Sequence, residues 1–120
     1  ILARLNPSIQ EIASLENPVD LTGSSFDSDF VAVADILSRS PEVDAILILL
    51  LPYSPGISTD ISAKLSHVHQ REGKPMVAYL PKDEKYRIIL EGFELYNIPV
   101  SPSIEGSVLM LEALRRCKKC

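Results

Sequence analysis

Apolar positions along the chain follow two rhythms. The first is helical. Phe30, Val33, Ala34 and Leu37 fall at i, i+3, i+4, i+7, with Asp29, Asp35 and Ser38 off that face. Asp27 and Asp29 precede the stripe, where acidic groups suit the positive end of a helix dipole, and Ser40-Pro41 ends it. Ile57, Ile61, Leu65 and Val68 predict a second helix that stops at Gly73. Tyr86, Ile89, Leu90 and Phe93 predict a third. Gly92 lies inside it, at a cost of about 1 kcal/mol against Ala. Ser101-Pro102-Ser103 opens a fourth, with Ile104, Val108, Leu111 and Leu114 inward and Arg115, Arg116, Lys118 and Lys119 at its negative end. Upstream, Asn6-Pro7 reads as a cap followed by Pro at the first helical position and predicts a short helix over 7–15.

The second rhythm is continuous. Residues 43–51 are apolar almost throughout, do not alternate, and are bounded by Pro41 and Pro52. That pattern predicts a strand covered on both faces, as in a parallel sheet. Residues 75–80 predict another strand. Residues 98–100 predict a short last one at an edge, because Pro99 has no N–H for a central ladder. Residues 19–21 predict a short extended segment, since Pro18 biases Asn17 away from the helical region.

The order is thus a helix and then strand–helix four times. It predicts an α/β domain of the three-layer α/β/α kind, with a parallel sheet of about four strands and right-handed crossovers. No Gly- or Ser-rich linker, low-complexity tract or repeat divides residues 1–120, so one domain is expected.

Composition narrows the function classes. The 120 residues are 46% hydrophobic and 23% charged, which excludes a disordered or fibrous chain. A net charge of −4 argues against a sequence-independent grip on nucleic acid. The longest apolar run, 45–51, is far too short to span a bilayer, and the first residues lack a basic leader. Cys117 and Cys120, the two cysteines, stand in the last four residues and cannot staple the body; a reduced, cytoplasmic setting is the expectation.

In open parallel sheets, ligands meet the loops at the carboxyl ends of strands. Four such loops are predicted, at 22–25, 52–56, 81–83 and 101–103. The first carries the most chemistry. A short strand runs into Thr22-Gly23-Ser24-Ser25 and straight into a helix. Gly23 can bring its backbone close to a ligand, and the free N–H groups of a helix start attract anions. The same residues also suit plain capping: Ser24-x-x-Asp27 resembles a capping box, and Asp27 and Asp29 would repel a phosphate. His67 and His69, at i, i+2, point to different helix faces and do not chelate together. Cys117-x-x-Cys120 is half of a structural zinc set at most, and reads as a frayed tail. Lys82 reads as solvated, and Tyr53, Tyr79, Tyr86 and Tyr96 as packing. No nucleophile–base set or metal cluster is legible.

Asn17-Pro18-Val19-Asp20-Leu21-Thr22-Gly23 is the sharpest motif of the chain. With Pro41-Glu42-Val43-Asp44-Ala45-Ile46-Leu47-Ile48, Gly73-Lys74-Pro75-Met76-Val77-Ala78 and Asn97-Ile98-Pro99-Val100, it resembles the last flavodoxin-like domain of the NDP-forming acyl-CoA synthetases (ADP-forming acetyl-CoA synthetase), in the succinyl-CoA synthetase superfamily. The resemblance spans residues 16–116. It implies a ligase that interconverts an acyl-CoA with the free acid, CoA and ATP, through a phosphorylated histidine carried by another domain. A helix start of this domain would stabilise that phosphate. Carried over, the phosphate-binding residues are Thr22, Gly23, Ser24 and Ser25, and the resemblance tips the open choice toward the anion site.

The implied partners are the histidine-bearing, CoA-binding and nucleotide-grasp domains. CoA, ADP/ATP and Mg are implied for the parent enzyme and none for this chain, which alone would not turn over substrate. The pattern also departs from the family: Ser24 and Ser25 stand where glycine is commoner, and Pro81-Lys82-Asp83 replaces a Gly pair. His67 and His69 do not match the phosphorylated histidine.

Two rivals stand beside the enzyme domain. One is a non-catalytic α/β interaction or regulatory module that has lost phosphate binding. The other is a small-molecule binder using the loops at 52–56 and 81–83. The resemblance further implies a fragment lacking the family domain's first strand and helix. That strand would lie between 19–21 and 45–51, so the expectation is that these two segments pair directly or that a neighbouring chain, such as a homo-oligomer partner, fills the place.

Overall fold

The computed structural model describes residues 16–50 and 55–117. The helix predicted over 7–15 lies outside them, as do Pro52 to Ser54 and the last three residues. Among the described residues, four helices and three strands alternate: α1 (Asp27–Arg39), β1 (Ile46–Leu49), α2 (Ile61–Glu72), β2 (Met76–Tyr79), α3 (Arg87–Leu95), β3 (Val100–Ser101) and α4 (Ile104–Cys117). A turn of 3-10 helix, Glu84–Tyr86, leads into α3, with the Asp83 carboxylate accepting from the Lys85 N–H. The strands form one parallel sheet in the order β1-β2-β3, in register Ile46 to Met76 and Ala78 to Val100. The chain has an α/β fold, consistent with an incomplete flavodoxin-like domain.

One face of the sheet carries most of the core. Ile46, Ile48 and Leu50, then Met76, Ala78 and Leu80, share a cluster with Ala34 of α1, Ile61, Leu65 and Val68 of α2, and Ile89 and Phe93 of α3. Every second residue of a strand points one way, so α1, α2 and α3 cover this face. Phe93, Ile61, Leu65 and Met76 are fully buried; each contributes roughly 1.5–3 kcal/mol of burial. Val77 is buried but outside that cluster, because it points to the other face, where α4 packs on β2.

Polar groups then fix the helices. The buried Asp35 carboxylate accepts from Arg39 Nε (3.1 Å) and from Arg71 Nη2 of α2 (2.6 Å). Lys74 Nζ donates to the carbonyls of Leu37 (3.0 Å) and Ser40 (2.6 Å), satisfying the end of α1. Gly73 ends α2 at φ 72°, in the left-handed region that only glycine enters freely. Ser38 Oγ is the exception: it is buried with no hydrogen-bond partner among the described residues. Ser38→Ala removes that cost and is expected to stabilise by about 1 kcal/mol, read as a higher urea midpoint at unchanged slope.

Three expectations need correction. Residues 19–21 do not join the sheet, which has three strands among the described residues rather than about four. Asp20 forms only an isolated bridge. The physical reason is that Leu21 packs with Val33 on α1, in a small cluster of its own with Val19, Phe30 and Leu37. Direct pairing with β1 therefore does not occur. An open cleft of about 660 Å³ separates the two segments.

β1 is also not covered on both faces. Leu49 is 41% exposed, since α4 lies mainly over β2 and leaves β1 half bare.

The third correction concerns α4. Ile104 and Val108 are 53% and 50% exposed, and Leu111 and Leu114 only half-buried. The residue that goes down onto the sheet is Ser107. A side chain on the preceding Gly106 would run into the hydroxyls of Ser101 and Ser103. Small residues set the approach of this helix, not the large apolar ones.

Candidate functional site

The four residues singled out by sequence do sit together, in the turn that leads into α1. Thr22 has φ 68°, a left-handed conformation that a β-branched residue enters only under strain. The Asp20 carboxylate holds it there, accepting from the Thr22 N–H at 2.8 Å. Thr22 Oγ1 in turn accepts from the Ser24 N–H (3.3 Å), and the Thr22 carbonyl accepts from Ser25 Oγ (3.0 Å). Ser25 is buried, whereas Gly23 and Ser24 are exposed. Gly23 has nothing within 4 Å of where a Cβ would stand. The hydroxyls of Thr22 and Ser25 thus serve the turn's own backbone.

The helix start is closed in the same manner. Phe26 is the N-cap and its side chain is apolar, so the capping is done from inside the helix. Asp29 Oδ2 accepts from the Phe26 N–H at 2.8 Å. The capping pair is Phe26 with Asp29, two residues on from the Ser24–Asp27 pair expected from spacing.

Asp27 is released for a different task. Its carboxylate, only 8% exposed, accepts from the Ser58 N–H (2.8 Å), from the Ser58 hydroxyl and from Lys64 Nζ (2.9 Å). Burial pushes its pKa up, but the bonds from Ser58 and Lys64 outweigh that and hold it below its ordinary 3.8. The carboxylate therefore stays ionised and stitches the β1–α2 loop and α2 across the mouth of α1. Gly56 of that loop lies so close that a Cβ there would overlap the Ser25 carbonyl.

Electrostatics point the same way. Two buried carboxylates, Asp27 and Asp29, occupy the first turn of α1. They satisfy the helix dipole from within and present negative charge to any arriving anion.

The remaining candidates disperse. His67 is exposed on α2, and His69 Nδ1 lies 3.0 Å from the Lys74 carbonyl, a local contact. Among the described residues, no group of three or more His, Cys, Asp or Glu could hold a metal ion. Cys117 is a free, exposed thiol, and Cys120 lies outside the description. Lys82 is exposed. Among the described residues, the cleft is lined by Asn17 to Thr22, α1 and β1, with Leu65 of α2 and Leu111 of α4 also on its wall. No described helix is long and apolar enough to cross a membrane.

Sequence reasoning missed Ser58 and Lys64. They stand 31 and 37 residues from Asp27, and no local spacing connects them. The buried acidic first turn was the one signal available: a carboxylate beneath the surface requires a partner. No family model matches the chain, and no curated protein is significantly similar to it.

Proposed function

We propose that this chain is a flavodoxin-like domain of the ADP-forming acyl-CoA synthetase kind that works as a non-catalytic interaction module. Membership of that kind rests on the Asn17-to-Gly23 motif and the order of segments that follow it. The observation that carries the role is the closure of the α1 start: Asp29 occupies the Phe26 amide, and Asp27 binds Ser58 and Lys64. A phosphate arriving there would meet two carboxylates and a packed loop. The partners of such a module are the histidine-bearing, CoA-binding and nucleotide-grasp domains, which would supply the CoA, nucleotide and Mg chemistry.

A second reading keeps the helix start as the cradle of a phosphohistidine phosphate. The exposed Gly23 favours it, since nothing lies within 4 Å of where its Cβ would stand at the tip of the turn. One titration separates the two. Inorganic phosphate and sulfate are added while the amide resonances of Gly23, Ser24 and Ser25 are followed by NMR. The module predicts no saturable shift at millimolar anion; saturable shifts confined to these three amides would establish the cradle.

A further inference from the structure

We draw no further inference here: the strongest candidate, the cleft between α1, β1 and Leu111 of α4, carries nothing, because the segments that lead into and out of its walls lie outside the described residues and nothing in the structure shows what covers it.

Discussion

Replacing Asp27 by alanine is expected to lower the unfolding free energy by about 3 kcal/mol, a large share of a small domain's stability. The substitution removes three hydrogen bonds to an ionised carboxylate and leaves the Ser58 amide and the Lys64 ammonium without their acceptor. It also unfastens the β1–α2 loop from the start of α1. Chemical denaturation of the two proteins side by side measures the loss.

The acid dependence has a definite sign. The Asp27 pKa is lowered in the folded chain, because Ser58 and Lys64 outweigh the opposing effect of burial. A depressed carboxylate contributes its stability in full above the ordinary value of 3.8 and loses it as the pH falls through the folded value. The gap between the parent chain and Asp27→Ala is therefore widest near neutrality and narrows below pH ~4. A gap that stays constant down to pH ~2 would show that the carboxylate's charge has no part in the stitch.

Gly92→Ala is expected to destabilise, against the direction of helix propensity. In an isolated helix the change would gain about 1 kcal/mol. Here α3 crosses α2 at this residue, and a Cβ would overlap Ser62 Oγ and press on Ser62 Cβ. Ser62 is itself buried at 3% exposure, so it has little room to give. Overpacking of this kind costs about 1–3 kcal/mol, and a net loss of about 2 kcal/mol is expected. Ser62→Ala in the Gly92→Ala background removes the hydroxyl and should recover part of the loss. A double-mutant cycle gives the coupling directly; additive effects would mean the two helices do not meet as described.

Gly92 also shows what a sequence hides. Inside a helical stripe it reads as a penalty, whereas in the fold it is the residue that lets two helices approach. The same holds for α4. Ile104 and Val108 have the spacing of an inward face, yet Gly106 and Ser107 set the contact with the sheet. Hydrophobic period names an amphipathic face, but not how much of it a neighbour covers. That depends on which strands lie beneath, and α4 has β2 under it, with β1 left partly bare.

Other elements were plain from pattern alone. The stripe Phe30 to Leu37 gave α1, the continuous run before Pro52 gave β1, and Gly73 gave the end of α2 in its left-handed conformation. Residues 19–21 form no strand, only a bridge at Asp20, and belong to α1's side, because Leu21 finds Val33. The candidate site was half legible. Thr22 to Ser25 do form the turn before α1, and Asp27 and Asp29 do occupy its first turn. What those carboxylates bind was not legible, since Ser58 and Lys64 are brought to Asp27 by tertiary packing across more than thirty residues.

Hydrogen exchange at the Phe26 amide, in buffer free of phosphate and sulfate, tests the closed helix mouth most directly. With Asp29 as its acceptor, the amide should exchange on the order of a hundredfold more slowly than an unstructured one, and Asp29→Ala should remove that protection. An unprotected Phe26 amide in the parent chain, which becomes protected once phosphate is added, would show that the mouth is open and made for an anion.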